Sequence, residues 1–424
     1  KMTSEELVRA CLERIAAIED QIGAWAHLDI EYALKQAQEA DRVLQEGNTL
    51  GPLHGVPVGV KDIFDTKDMP TEDGTVLHAG RQPQMDATVV TLLRKAGAVI
   101  LGKTVTTELA VYAPGKTRNP HDLERTPGGS SSGSAAAVAA GMVPIAIGTQ
   151  TNGSVIRPAS YCGVYGYKPS YGRISRYSVL QQSRPLDQIG VFARTIEDAA
   201  LIAQQIMVFD DRDPDMQLRA QPDLIKIMAE DPPFNPRLAF IKTPVWDHAD
   251  SDTKEAFTEL VTHLGEDINE FELPDDFNQA ISDHGTIMEA DLARSFEQEY
   301  ASGKDKLSSI LREMIERGQK VLAVDYNRAL SRIPEFNLAL DKVFDWHDVI
   351  LTPATTGVAP VGLESTGSPI FCTIWTLCGM PAITIPILQG SHGLPLGVQL
   401  VGSKGDDARL LRTARWLVSN LADD

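Results

Sequence analysis

The sequence predicts an α/β fold with a central twisted mixed β-sheet covered on both faces by α-helices. From residue 56 onward, short apolar runs bounded by Gly and Pro alternate with helical patterns. The chain has 424 residues, of which 43% are hydrophobic, and this is enough to bury a large core. No fixed-period repeat or long linker divides the chain, so residues 1–424 are predicted to form one domain.

Two helices are predicted within the N-terminal segment, residues 1–50. Thr3 and Glu6 have the spacing of a capping box, and apolar residues then recur on one face over residues 4–19. A second helix is expected to end before Gly47. Its predicted inner face consists of Ala33, Ala37, Ala40 and Leu44.

The core of this domain is predicted to comprise residues of about 51–205 and 345–424. Its alternating elements are typical of strands and covering helices in one sheet. The predicted strands are residues 56–60, 98–101, 143–147, 238–241 and 349–352, and the predicted helices are residues 86–96 and 135–140. The strand at 238–241 falls in the intervening region.

That intervening region, about residues 210–340, is polar and charged. Helical patterns such as residues 253–264 and 304–316 lie within it. It is predicted to be a helical cap on the substrate side of the core.

Charge and cysteine content restrict the class of protein. The chain has 39 basic and 58 acidic residues, a net charge of −19, which disfavours nucleic acid and anionic membranes as partners. No apolar run is long enough to span a bilayer, and a cytoplasmic location is expected. The four cysteines form no C-x-x-C pair and are interpreted as reduced packing residues. No histidine or carboxylate spacing indicates a metal site.

Two serine-containing segments follow a buried-looking strand that carries a lysine near its end. Residues 128–134 read GGSSSGS, residues 148–154 read GTQTNGS, and the strand carries Lys61. A serine hydroxyl needs a base to become a good nucleophile, and no histidine is paired with either segment. Lys61 is the candidate base, provided that desolvation lowers its pKa from the usual value of about 10.4.

The second serine segment is a candidate oxyanion hole. An oxyanion hole needs backbone N–H groups that are fixed where negative charge develops on a carbonyl oxygen. Successive N–H groups in this turn could converge on one such point, and an ordinary structural turn is the alternative. The candidate donors are Thr151, Asn152, Gly153 and Ser154.

The lysine strand, the GGSSSGS run and the following turn resemble the amidase signature family. The resemblance covers about residues 55–172 and resumes at residues 352–353 and 379–400. It implies the amidase signature fold, with Lys61 as base, Ser130 as a bridging serine on a cis peptide bond, and Ser154 as nucleophile. Ser131 and Thr149 are implied to support them.

Local motifs are closest to malonamidase-like bacterial amidases. There, an arginine at the position of Arg157 reads a substrate carboxylate, and an internal salt bridge is the alternative role for it. Arg173 and Asn152 are further candidate substrate contacts. Asn152 replaces a glycine that is usual in the family. Asn tolerates positive φ, and its side chain is expected near the oxyanion site.

The resemblance implies a hydrolase that acts on carbon–nitrogen bonds other than peptide bonds, such as linear amides, without a cofactor. The expected substrate is a small amide, a carbamate (as in a urethanase) or an ester, cleaved through an acyl-enzyme. The alternatives are an A-type glutamine amidotransferase subunit that needs partners, and an inactive relative that only binds. A homodimer is the default oligomer.

Two other motifs favour rival functions. Residues 97–104 match the phosphate-loop expression G-x-x-x-x-G-K-[ST], which would indicate a nucleotide-binding protein. Their middle positions are typical of a buried strand, whereas a phosphate-binding loop opens a helix. Residues 129–133 also fit G-x-S-x-G, the nucleophile elbow of α/β-hydrolases, but no downstream histidine stands in a distinctive setting.

Overall fold

Eleven β-strands form one sheet in the part of the chain that the computed structural model describes, residues 2–422. Their order across the sheet is β1-β3-β2-β4-β6-β5-β10-β11-β9-β7-β8, with parallel and antiparallel neighbours. The strands are β1 (Trp25–Leu28), β2 (Pro57–Lys61), β3 (Val99–Thr104), β4 (Ile145–Gln150), β5 (Tyr165–Lys168), β6 (Gln188–Ala193), β7 (Leu238–Ile241), β8 (Ile268–Phe271), β9 (Val349–Pro353), β10 (Ala382–Gln389) and β11 (Pro395–Gly402).

Helices cover both faces of this sheet, which confirms the predicted fold class. Alternate residues of β7 belong to different cores, Leu238 to one and Ala239 to the other, as expected for a strand buried on both sides. The helices are α1 (Ser4–Ile22), α2 (Ile30–Gln45), α3 (Thr88–Lys95), α4 (Ser132–Ala139), α5 (Ile156–Cys162), α6 (Ile196–Ile206), α7 (Leu224–Ala229), α8 (Ser251–Leu264), α9 (Ala280–Ser295), α10 (Glu297–Gly303), α11 (Ser309–Gly318), α12 (Ala323–Phe344), α13 (Ile370–Leu377) and α14 (Asp407–Ala422).

The two predicted N-terminal helices are present as α1 and α2. The capping box of α1 is formed, because the Glu6 N–H donates to the Thr3 side chain and the Thr3 N–H donates to Glu6. The predicted alanines of α2 are buried, whereas Leu44 is 52% exposed, so its assignment to the inner face is wrong. α2 ends one turn after Ala40, its last buried residue, and Leu44 therefore extends past the surface that α2 packs against.

The three strands β3, β2 and β4 lie side by side and run parallel. Every residue of the three is buried. Carboxyl ends of neighbouring parallel strands meet at the same edge of a sheet, and β2 ends there in Lys61. The sheet therefore places the lysine beside the residues that follow β4.

The intervening region differs from a purely helical cap. It contains α7 to α12, but β7 and β8 extend the sheet through parallel pairing with β9 and with each other. The helix predicted at 304–316 is confirmed from residue 309 onward, but its predicted start is wrong: a short 3₁₀ turn ends at Lys306, and α11 then begins under a new cap. The Ser308 hydroxyl supplies that cap by accepting from the Leu311 N–H.

The phosphate-loop match at residues 97–104 lies in a setting that a phosphate-binding loop does not use. Residues 99–104 form the buried strand β3. The Lys103 amine lies 3.1 Å from an Asp62 carboxylate oxygen and is fully buried. This lysine therefore serves an internal ion pair.

All four cysteines are free and buried, in agreement with the packing role predicted from the sequence. Within residues 2–422, no helix is both long and apolar enough to cross a membrane.

Candidate active site

Lys61 is fully buried at the end of β2, with its amine directed at two hydroxyl groups. Lys61 Nζ lies 2.7 Å from Ser130 Oγ and 2.8 Å from Thr149 Oγ1. Burial lowers the pKa of Lys61 well below its usual value, and the nearby Asp187 carboxylate acts in the opposite direction. The amine is therefore suited to stay neutral and to accept a proton.

Ser130 follows a cis peptide bond from Gly129, as the family resemblance implies. The neighbouring carbonyls are held by donors from other segments: the Thr107 N–H donates to Ser130 O at 3.2 Å, and Arg157 Nη2 donates to Gly129 O at 2.7 Å. Ser130 is completely buried. Its hydroxyl is thus fixed in contact with Lys61.

Ser131 and Thr149 join the two serine segments. Ser131 Oγ donates to Thr149 O, and the Thr149 N–H donates to Ser131 Oγ, each at 3.2 Å. Because Thr149 Oγ1 also contacts Lys61, this pair links the start of α4 to the end of β4 and to the lysine.

Ser154 lies in the turn between β4 and α5 and is 7% exposed. Among residues 2–422, no hydrogen bond involves its hydroxyl. The structure thus shows the first contact of the predicted relay, between Lys61 and Ser130. The second contact, between Ser130 and Ser154, stays a prediction.

Gln150 holds the turn that contains Ser154. Gln150 Oε1 accepts from the N–H groups of Val155 and Ile156 at 2.8 and 3.0 Å. Gln150 Nε2 donates to Thr376 Oγ1, which in turn donates to Asn152 O at 2.5 Å. The Gln150 side chain thus contacts the end of the turn directly and its beginning through Thr376.

The predicted oxyanion donors precede these two bound N–H groups. In the described part of the chain, the N–H groups of Thr151, Asn152, Gly153 and Ser154 donate to no other group, in contrast to those of Val155 and Ile156. These four N–H groups are therefore unpaired, and their convergence on one oxyanion stays a prediction.

The φ angle of Asn152 is not positive. The tolerance of Asn for positive φ therefore does not explain why it can replace the usual glycine here. Its side chain turns to other groups: Nδ2 donates to the Tyr112 hydroxyl at 3.1 Å, and Oδ1 accepts from Thr373 Oγ1 at 2.8 Å. Gly153 is required by space instead. A Cβ there would lie 2.8 Å from Pro369 Cβ and 3.2 Å from Cys372 Sγ.

Arg157 is completely buried and bonded to main chain. Its guanidinium donates to Gly367 O and Gly129 O, and Nε has no partner within residues 2–422. The predicted alternative, an internal salt bridge, is not found among the described residues. The arginine instead donates to the carbonyl of the Gly129–Ser130 cis peptide bond.

Arg173 lies elsewhere. Its Nη2 donates to Gly405 O at 2.9 Å, and Nε lies 3.8 Å from Asp407 at the start of α14. It lines a cavity together with Lys404 that contains none of the candidate catalytic residues. The structure therefore does not bring Arg173 to the turn that contains Ser154.

Sequence reasoning missed Asp187. Thr151 Oγ1 donates to Asp187 Oδ1 at 2.7 Å, and the N–H groups of Gln182 and Ser183 donate to Oδ2. Burial raises the pKa of Asp187 to about 6. The available signal was an acidic residue directly before the apolar strand β6, a position where a carboxylate is buried with the strand.

His284 holds the same turn from α9. Its Nε2 lies 2.9 Å from Thr151 O, so this nitrogen carries the hydrogen. Burial lowers the pKa of His284 to about 4, which keeps the ring neutral at physiological pH. Asp187 and His284 thus fix the two sides of Thr151.

A cavity of about 420 Å³ opens beside Asn152, two residues before Ser154. Side chains from α9, α11 and α13 and the ring of Tyr112 line it. A second cavity, of about 260 Å³, is lined by Thr149, Thr151 and Asp187. Among residues 2–422, no cluster of His, Cys, Asp and Glu could hold a metal ion.

The profile of the family described as Amidase matches residues 6–411. The A-type subunit of the glutamyl-tRNA(Gln) amidotransferase of Chloroflexus aggregans is 36% identical over 97% of this chain and 92% of its own length.

Two solved structures have the same fold. The native peptide amidase of Stenotrophomonas maltophilia is 30% identical, with a TM-score of 0.85 over 99% of this chain and 94% of its own. A structure described as a vestigial protein complex that reveals the origins of an s-triazine catabolic enzyme is 26% identical. Its TM-score is 0.92, over 99% of this chain and 95% of its own. With its family profile, its fold and its serine and lysine segments in agreement, the chain belongs to the amidase signature family.

Proposed function

We propose that this chain hydrolyses a carbonyl carbon–nitrogen bond through an acyl-enzyme on Ser154. The observation that carries the proposal is the contact of 2.7 Å between the buried Lys61 amine and Ser130 Oγ. A neutral amine in this position can take the Ser130 proton while Ser130 takes the proton of Ser154. No histidine is needed for this transfer.

In the proposed reaction, Ser154 Oγ attacks the carbonyl carbon, and the electron pair moves to the oxygen. The unpaired N–H groups of the turn at residues 151–154 stabilise the oxyanion. When the oxyanion collapses, the C–N bond breaks, and the protonated Lys61 returns its proton through Ser130 to the leaving nitrogen. Water then attacks the ester on Ser154 by the same relay and releases the acid.

The substrate is proposed to be an amide or a carbamate, with an ester as a chemically easier relative. The same acyl transfer serves each of these carbonyls. A carboxylated amide is less well supported, because Arg157 already donates to Gly129 O and Gly367 O. A panel of primary amides, anilides, carbamates and nitrophenyl esters tests the proposal. We expect turnover by the wild type and loss of turnover in Ser154→Ala.

A second candidate function is that of an amidotransferase A-type subunit, in which the ammonia released from glutamine passes to a partner. The observation in its favour is the 36% identity to the glutamyl-tRNA(Gln) amidotransferase relative over 97% of this chain. Both candidates use the same attack on an amide carbonyl. Partner dependence separates them: turnover of simple amides by the purified chain favours the hydrolase, and strict dependence on added partner proteins favours the amidotransferase.

A further inference from the structure

The cavity beside Asn152 has mostly apolar walls. Ile281 and Met288 on α9, Met314 on α11 and Ile370 on α13 contribute side chains to it. A volume of about 420 Å³ is large enough for a ring or a chain of several carbons. Contact with an apolar ligand would remove these walls from water, which is favourable. A charged ligand would lose its hydration here without forming compensating hydrogen bonds to the walls.

The inner end of the cavity offers neutral polar groups. Asn152, Tyr112 and Thr373 line it, and Asn152 is hydrogen-bonded to Tyr112 at 3.1 Å and to Thr373 at 2.8 Å. His284 also lines it and is neutral, because burial lowers its pKa and its Nε2 hydrogen is used by Thr151 O. None of these groups supplies a positive charge to a substrate carboxylate.

The charged residues at the cavity are all on α9 and α11. Arg317 Nη2 lies 2.6 Å from Glu289 Oε1, so its charge is already paired. Glu313 is exposed and adds a second carboxylate. Within residues 2–422, the lining therefore has one arginine against two glutamates, and a net charge of −1.

We infer that this cavity selects an uncharged, largely apolar part of the substrate, and that Glu313 contributes to the exclusion of carboxylates. The inference rests on the proposed function, since it names the substrate class of the same site. A ligand carboxylate here would lose hydration against apolar walls and would face the Glu313 charge, whereas a neutral alkyl or aryl group would meet neither penalty.

Binding to Ser154→Ala protein tests the inference without requiring turnover. The probes are hexanamide and adipamic acid, which share a primary amide and chain length but differ in a terminal methyl or carboxylate. We expect hexanamide to bind at least about tenfold more tightly. Glu313→Lys on the same background should reduce that ratio about 2- to 5-fold, as expected for an exposed charge.

Glu316→Lys is the matched control. Glu316 lies on the same helix and pairs with Lys304 at 2.7 Å, but it does not line the cavity. The ratio should stay at its starting value in this variant. Equal or tighter binding of adipamic acid, binding of neither probe, or the same change in both lysine variants would overturn the inference. Failure of the proposed function gives a different result: amide turnover that persists in Ser154→Ala.

Discussion

Lys61 and Ser130 are 69 residues apart in the chain, yet the lysine amine lies 2.7 Å from the serine hydroxyl with both side chains completely buried. This contact joins the end of β2 to the loop before α4. In water the amine would be protonated, and burial is what lowers its pKa. The proposed chemistry and its pH dependence follow from this environment.

Activity should fall as the pH is lowered through the pKa of Lys61, because the protonated amine cannot accept a proton. Lys61→Ala should lower kcat for amides by about 10³-fold or more, as for the loss of a member of a nucleophilic unit. Lys61→Arg should be equally inactive, since a guanidinium stays protonated. Initial rates between pH 5 and 9 check this, and an arginine variant with substantial activity would contradict it.

Asp187 should tune this pH dependence. Its carboxylate favours the protonated form of Lys61, so Asp187→Asn should lower the pKa of the lysine and move the acid limb of kcat/KM to lower pH. Thr151→Val is the comparison variant, because it removes the hydrogen bond of 2.7 Å to Asp187 and keeps the carboxyl group. That bond lowers the pKa of Asp187, so its loss weakens the carboxylate charge only at acidic pH, and the limb should move to lower pH by less than in Asp187→Asn. The variant should reduce kcat about tenfold or less. An identical shift in both variants would exclude the electrostatic role.

Arg157 should stabilise the folded site and should not determine whether charged or neutral substrates are preferred. Arg157→Lys cannot keep both bonds to Gly129 O and Gly367 O and should cost about 1–3 kcal/mol in the free energy of unfolding. kcat/KM should fall by the same factor for neutral and carboxylated amides. The exposed Arg328→Lys serves as control. A loss confined to carboxylated substrates would show that Arg157 reads a carboxylate.

His78 should stabilise the contact between the loop after β2 and α10. Its ring lies between Asp73 at 2.8 Å and Glu299 at 3.0 Å, and these hydrogen bonds raise the pKa of His78 to about 9. The contribution of His78 to the free energy of unfolding is therefore complete below about pH 6.5, the usual pKa of a histidine. It is lost as the pH rises through about 9. His78→Gln should lower the free energy of unfolding by about 1–2 kcal/mol at pH 6.

Urea denaturation at pH 6 and pH 10 checks the His78 prediction. The difference between His78→Gln and the wild type should be clear at pH 6 and should nearly vanish at pH 10. The exposed His248→Gln is the control and should match the wild type at both pH values. A cost of the same size at pH 10 would show that the ring acts by packing alone.

The sequence was sufficient where local pattern decides structure. Residues 238–241 form the strand that was predicted, because an apolar run between charged residues has few other options. The predicted start of the helix at 304–316 was wrong because a serine inside that range caps α11, which periodicity does not reveal.

The environment of the site depended on contacts between distant segments. Asn152 is bonded to Tyr112, 40 residues away, and to Thr373, 221 residues away. The main-chain partners of Arg157 are similarly remote. Motifs could indicate Lys61 and the serines as a group, but no local pattern shows which distant carbonyl or hydroxyl a side chain will meet.

The rate of labelling by a fluorophosphonate, with intact-mass mapping of the adduct, tests most directly whether Lys61 activates Ser154. We expect one adduct, on Ser154, in the wild type and none in Ser154→Ala. In Lys61→Ala, with its circular dichroism unchanged, labelling should be slower by about 10²-fold or more. An adduct on another serine, or labelling of Lys61→Ala at the wild-type rate, would contradict the proposed mechanism.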